Sequence, residues 1–355
     1  MYKVLIHHAT YETVSEAIKK AIEVFPFDLC GKKVLIKPNV LRASQPEEGI
    51  TTHPMILRAV VDTVEMMKPI SIIVGDNSGV FSYGANEDAF IKTGLMEAAK
   101  GYYQNIGTDS IKVDFNPDFL STISISRVAL ESDFIISIPK FKTHGLTVLS
   151  GGIKNSYGFL PGAQKARLHK AAGNPEQFDN LIVEVFRIRV PDFFIVDGIV
   201  AMEGNGPRNG RPLSMGLLAF SRDPIALDAT LSRLIRLDPR KVITCLEGEK
   251  GGLGYWQDNA IELVGDDFSH FYKADFDVQR EPMVSYKKEG FLRSFRNLLL
   301  SKPIIDYSKC KACGICIDIC PAQPKALLWK EKQHIPQHNY KYCIRCYCCQ
   351  ELCPH

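Results

Sequence analysis

Nine of the eleven cysteines in this 355-residue chain crowd between Cys310 and Cys353, with only Cys30 and Cys245 ahead of them. The first run is Cys310-x-x-Cys313-x-x-Cys316-x-x-x-Cys320-Pro321, and the second is Cys343-x-x-Cys346-x-x-Cys349-x-x-x-Cys353-Pro354. Each of these cysteines recurs 33 positions later, and Tyr307 recurs as Tyr340, which marks an internal duplication. Three thiolates two residues apart can curl around three corners of an iron–sulfur cubane while the fourth cysteine is directed away. In two-cluster ferredoxins that fourth cysteine ligates the other cluster. Two four-iron four-sulfur clusters are therefore expected, one on Cys310, Cys313, Cys316 and Cys353, the other on Cys343, Cys346, Cys349 and Cys320. Zinc competes with this reading, but its sites pair two separated Cys-x-x-Cys units. A disulfide framework would be spread over its domain and would need an oxidising compartment. Cys348 is a further cysteine, read as a non-ligand able to substitute for Cys349. Tyr347 stands where the first run has Gly314, and Lys311 and Arg345 bring positive charge that should favour the reduced state. Electron transfer, and hence a redox partner protein, follows from the clusters.

A second chemical signal lies in residues 139–175. The stretch holds Lys140, Lys142, Lys154, Lys165, Arg167, Lys170, His144 and His169, six glycines and no Asp or Glu. Exposed amides and unopposed lysines attract carboxylate or phosphate, so an anionic small molecule or cofactor is expected here. A solvated, flexible glycine-rich loop is the competing reading. Lys154, His144 and Asp76 are the candidate catalytic groups. His144 is the candidate proton donor, because imidazole ordinarily titrates near neutrality. Lys37, Asn39, Lys140, Lys142, Gly151, Gly152 and Asp197 are the candidate anion contacts. A second glycine loop, 204–210, lacks the dinucleotide spacing and is read as a tight loop that brings Arg208 to the anion. No GxxxxGK[ST] phosphate loop is present.

These groups need a scaffold. Apolar, β-branched runs at 2–6, 33–37, 71–75, 133–138, 193–197 and 216–220 read as strands. Between them lie helical repeats: Val14, Ala17, Ile18, Ala21, Ile22 and Phe25 after the capping-box pattern Thr13-x-x-Glu16, and Leu57, Val60, Val61 and Val64 after Pro54. Asp223-Pro224 opens a third helix. Alternating strands and helices argue for an α/β fold with a mostly parallel sheet and flanking helices, followed by a small α+β ferredoxin-type domain. In such sheets ligands sit beyond the carboxyl ends of the strands, and four of those ends are polar, at Lys37–Asn39, Asp76–Gly79, Lys140–His144 and Asp197. The expected division is an α/β domain over 1–275, a connector over 276–302 and the cysteine domain over 303–355. The connector's short amphipathic helix carries Phe291, Leu292, Phe295, Leu298 and Leu299, and docking onto the α/β domain is expected. The 43 basic and 40 acidic residues nearly balance, which gives no reason to expect nucleic acid. No apolar run is long enough to span a membrane and the start reads as no secretory signal, so a cytoplasmic protein is expected.

The segments VLIKPNV, ITTHP, VGDNSG, IPKFKTHGLTVLSGGIKNSYGFLPG, VDGIVAMEGNGPRNG and SRDPIALDA resemble the family called domain of unknown function 362. That resemblance covers nearly the whole chain and implies an α/β fold and an iron–sulfur association, without a reaction. A fainter likeness, in His144, Gly151, Gly152 and Lys154, is to the nickel-pincer lactate racemases, and would imply a cofactor borne on Lys154. The leading expectation is an oxidoreductase in which the two clusters exchange electrons with an anion in the α/β domain. The alternatives are a non-catalytic electron carrier whose large domain binds a partner protein, a redox sensor, and an isomerase with a lysine-linked cofactor.

Overall fold

Strand residues alternate between two apolar layers. Leu35, Ile135, Phe194, Val196, Leu217 and Ala219 face one core, while Val34, Ile36, Ile136, Ile195, Leu218 and Phe220 face the other. That period of two is what a sheet covered on both faces demands. The structure, a computed structural model, describes residues 1–79, 84–172, 175–279, 302–330, 335–351 and 353. The connector helix expected around Phe291–Leu299 lies outside the described residues.

The chain runs β1 (Tyr2–His8), α1 (Val14–Val24), β2 (Lys33–Pro38), α2 (Pro54–Met66), β3 (Ser71–Val74), α3 (Ala85–Lys92) and α4 (Leu95–Ala98), then the small hairpin β4 (Ser110–Asp114) and β5 (Thr122–Ser126). It continues through α5 (Arg127–Glu131), β6 (Phe134–Ile138), β7 (Lys140–His144), β8 (Val148–Ser150), α6 (Gly152–Asn155), α7 (Gly162–Ala172) and α8 (Pro175–Ile188). The long hairpin β9 (Phe193–Asn205) and β10 (Asn209–Ser221) follows, then α9 (Pro224–Leu234), α10 (Ile243–Lys250) and β11 (Ile261–Gly265). The nine-stranded sheet has the order β11-β1-β10-β9-β6-β2-β3, with the β7–β8 hairpin beside β9. Strands β9, β6, β2 and β3 are mutually parallel, and only the contacts of β10 with β1 and β9, and of β7 with β8, are antiparallel. The fold is α/β, with helices α1, α2, α3 and α4 on one face and α6–α9 on the other. No helix among the described residues is long and apolar enough to cross a membrane.

Local signals account for most boundaries. The His53 side chain accepts the Met55 amide at 3.2 Å ahead of Pro54, and the Asp223 carboxylate accepts the Ala226 amide at 2.6 Å ahead of Pro224. The capping box at Thr13 does not form: its hydroxyl accepts from the Thr10 amide instead, because the preceding turn reaches it first. One further expectation is corrected, and one competing reading falls. The strand expected to end at Asp197 runs on to Asn205, since β10 and β7 supply partners beyond Gly198, so Asp197 sits mid-strand in register with Lys140. The flexible-loop reading of 139–175 does not hold for 140–172, which form β7, β8, α6 and α7 with their short connections.

The C-terminal region holds short helices at Ile315–Asp318 and Cys348–Glu351 and an antiparallel pair, Leu327–Lys330 with Ile335–His338. It is joined to the larger body. Tyr347 belongs to the α6–α9 core, Gln350 Nε2 donates to Asn205 Oδ1 at 2.5 Å, and Lys170 Nζ donates to Gln323 Oε1 at 2.7 Å.

Candidate functional site

Parallel pairing brings the polar strand ends to one edge of the sheet. Lys37, at the end of β2, lies beside Asp76, just past β3, with Nζ 2.7 Å from Oδ1. Lys37 also donates to Asn155 Oδ1 at 3.1 Å, and Asp76 Oδ2 accepts the Val40 amide at 2.7 Å. Lys140 on β7 is 2.8 Å from Asp197 Oδ2, which accepts the His53 amide as well. Both lysines are wholly buried. Burial holds each ammonium below the usual lysine range, against the pull of its aspartate. Lys142 is bound differently, donating to Asn39 Oδ1 at 2.7 Å and to the Ile50 carbonyl at 2.6 Å.

Close approach explains two glycines. The Asp228 carboxylate takes the Gly152 amide at 2.7 Å and the Ile153 amide at 3.3 Å, and a methyl on Gly151 would overlap that carboxylate. The Gly152 amide is therefore committed to an aspartate of the chain itself, while Gly151 lines an adjoining cavity. A methyl on Gly158 would overlap Asp76 Oδ1 and crowd Lys37 Nζ. Gly158→Ala is expected to destabilise the fold by about 1–3 kcal/mol, the usual cost of overpacking a filled interior. Urea unfolding checks this, and an unchanged midpoint would contradict it.

Above these braces lies a cavity of about 90 Å³. Asn39, Asp76, Lys140, Lys142, His144, Gly151 and Lys154 line it, as do Lys165 and His169; Lys37, Gly152 and Asp197 do not. Lys140 is paired to Asp197 and Asp76 to Lys37, so Lys142, Lys154 and Lys165 leave the cavity walls cationic. His144 Nδ1 accepts the Leu146 and Thr147 amides at 3.1 and 3.3 Å, so its proton resides on Nε2. Burial first, then Lys154, Lys142 and His169, hold its pKa well below the ordinary value. His144 is thus a neutral Nε2–H donor at neutral pH, with its titration displaced from the near-neutral range on which the proton-donor expectation rested. His169 stacks on Phe178 with centroids 4.2 Å apart, and burial lowers it to about 3. Lys154 Nζ lies over the rings of Tyr157 and Phe178, at 5.2 and 5.8 Å. Asn155, which links Lys37, Asn39 and Ser137, was not among the candidates. Its place directly after Lys154 was the available signal.

The cysteines surround two other spaces. Cys310, Cys313, Cys316 and Cys353 line one of about 620 Å³; Cys320, Cys343, Cys346 and Cys349 line one of about 20 Å³, and Cys349 borders both. The Ala326 amide donates to Cys320 Sγ at 3.4 Å, and His338 Nε2 is 3.8 Å from Cys349 Sγ. Among the described residues no three His, Cys, Asp or Glu side chains converge on a single-ion site. The backbone repeats the duplication: Ala312 and Arg345 have φ of 52° and 56°, and Gly314 and Tyr347 have 79° and 55°. Tyr347 therefore adopts the left-handed conformation of its glycine counterpart while its ring packs into the α/β core. Two groups of thiols around separate spaces, with a backbone donor at Cys320 and an imidazole nitrogen near Cys349, suit iron–sulfur clusters. Arg208 does not line the cationic cavity. Burial and Arg42 lower its pKa to about 10, while Cys353, Glu48 and Cys313 pull the other way. Cys348, buried beside Cys349, lines the cationic cavity instead.

Comparison with known proteins gives two separate family matches. The profile of the family described as Domain of unknown function (DUF362) matches residues 34–233, and that of the 4Fe-4S dicluster domain matches residues 302–354. A thylakoid-associated protein of Synechocystis sp. is 33% identical over 63% of this chain and 69% of its own length. An uncharacterized ferredoxin of Methanocaldococcus jannaschii is 38% identical over 14% of this chain and 66% of its own. Among solved structures, the lactate racemase apoprotein of Thermoanaerobacterium thermosaccharolyticum is 14% identical with a TM-score of 0.41, covering 62% of this chain and 54% of that one. A protein of Thermotoga maritima is likewise 14% identical with a TM-score of 0.40, covering 68% and 59%. The chain thus spans less than two thirds of either solved structure.

Proposed function

This chain belongs to the Domain of unknown function (DUF362) family, and from that premise, which carries no reaction, we propose an iron–sulfur oxidoreductase acting on a small anion held in the cationic cavity. One observation carries the reading. Cys348 lines the same cavity as Lys142, His144, Lys154 and Lys165, and its neighbour in the chain, Cys349, borders both thiol-lined spaces. The cysteine region is thereby a wall of the anion cavity rather than a remote appendage.

The proposed ligand sets are Cys310, Cys313, Cys316 and Cys353 for one cluster and Cys343, Cys346, Cys349 and Cys320 for the other. Clusters of this kind, when bound, give and accept single electrons. The chain's own residues supply the rest. Lys142 and Lys154 bring positive charge to the anion, and His144 offers a neutral Nε2–H. The two buried pairs, Lys37–Asp76 and Lys140–Asp197, position the strand ends that carry these groups. Asp76 is accordingly a positioning residue rather than the catalytic group first expected. A small cavity whose walls offer mostly donors favours a ligand made of acceptors, such as a carboxylate or another oxoanion.

Anaerobically prepared chain should bind oxalate or sulfate in titration calorimetry, and Lys142→Met should weaken that binding about tenfold or more at unchanged iron content, the loss of one charge-assisted contact. Absence of binding by either anion, or an unaffected Lys142→Met, would favour a plain electron carrier whose large domain meets a protein.

A further inference from the structure

We propose that Lys165 is the proton-exchanging group of the cavity, taking up a proton as an anion enters and releasing it as the anion leaves. This rests on the anion reading above and adds to it the group through which charge is balanced.

The geometry at this lysine accommodates either protonation state. Its Nζ donates to the carbonyls of Asn77 at 2.6 Å and Ser78 at 3.0 Å, and it lines the cavity. Two of the three hydrogens of an ammonium are thus engaged, and both hydrogens of a neutral amine. The remaining tetrahedral position holds an N–H in one state and a lone pair in the other. Exchange makes or breaks that single N–H bond, with water as the source or sink of the proton. Carbonyl oxygens accept from either form, so neither state loses its bonds. Lys37 and Lys140 are tied to carboxylates, Lys154 lies over the rings of Tyr157 and Phe178, and Lys142 donates to one side-chain and one backbone carbonyl, whereas both acceptors of Lys165 are backbone carbonyls. The two cavity histidines are held neutral far below physiological pH.

The charged and titratable groups facing Lys165 are Asp76 past β3, Lys37 on β2, Lys154 on α6 and His169 one turn along α7. Asp76 favours the ammonium, and Lys37 and Lys154 oppose it. Burial is the largest influence, and the balance lowers Lys165 to about 7. An entering anion adds negative charge beside Nζ and raises this value, so protonation and anion binding support each other. The linkage slope is then at most about tenfold in affinity per pH unit.

Sulfate is the probe, because its charge is constant across the range. Competitive reductive methylation read by peptide mass spectrometry should place the titration of Lys165 near pH 7, against about 10.4 for ordinary lysines. Saturating sulfate should move it up by about one unit or more, as mutual stabilisation of proton and anion requires. Calorimetric sulfate affinity should fall about tenfold or more from about pH 6 to about pH 9. Lys165→Gln, whose amide can still donate to both carbonyls, should flatten that dependence. An ordinary lysine midpoint, or the same pH slope in Lys165→Gln, would overturn the assignment. Sulfate that binds with pH-independent affinity removes the role of Lys165 and leaves the anion cavity standing. No sulfate binding at any pH removes the role of Lys165, and removes the anion cavity as well where oxalate also fails to bind.

Discussion

The double variant Cys310→Ala/Cys320→Ala is expected to disturb both clusters and to retain well under about four irons per chain, whereas Cys310→Ala/Cys353→Ala should keep about four. Both variants remove two thiols, so the contrast isolates how those thiols are shared. If each run held its own cluster, the two results would be exchanged, because Cys310 and Cys320 belong to one run. The spaces in the structure favour the crossed arrangement: Cys353 lines the larger with Cys310, Cys313 and Cys316, and Cys320 lines the smaller with Cys343, Cys346 and Cys349. Metal analysis and visible absorbance of anaerobic preparations read the outcome. Exchanged results would refute the quartets, and colourless, iron-poor wild-type chain would remove the redox function with them.

Asp76→Ala should cost about 3–5 kcal/mol of stability, the range for leaving one partner of a buried ion pair without the other. Lys37 has no access to solvent, and the Val40 amide would also lose its acceptor. Replacing both members of such a pair by apolar groups is often near neutral, so Asp76→Ala/Lys37→Met should regain most of the loss. Urea unfolding followed by circular dichroism measures both. A single variant within about 0.5 kcal/mol of wild type, as at an ordinary surface site, would mean the pair does not brace the cavity.

Some of this architecture was legible because its causes are local. Cysteine spacing is a matter of how far a few residues of backbone reach, and the two runs stand out without any knowledge of the fold. Strand positions followed from buried β-branched runs, and Pro54 and Asp223-Pro224 opened helices because their capping bonds span three residues or fewer. The Thr13 capping box failed for a reason equally local, a competing turn at Thr10 that the motif does not encode.

Read alone, the chain determined that thiols arranged for two clusters follow an α/β domain, and that lysines and histidines concentrate in one acid-free stretch. The fold decided what those charges do. Residues 57, 103 and 118 positions apart meet at the edge of the sheet, as Lys140 with Asp197, Lys142 with Asn39, and Lys37 with Asn155. Parallel pairing of β7 with β9 makes the first pair neighbours, the packing of a helix and a loop onto the sheet makes the others, and no periodicity in the chain records which partner reaches which amine. Asp228 claiming the Gly152 amide, and Cys348 turning into the cavity, are decisions of the same kind. A buried charge must find a partner wherever packing brings one, and packing is a property of the whole chain.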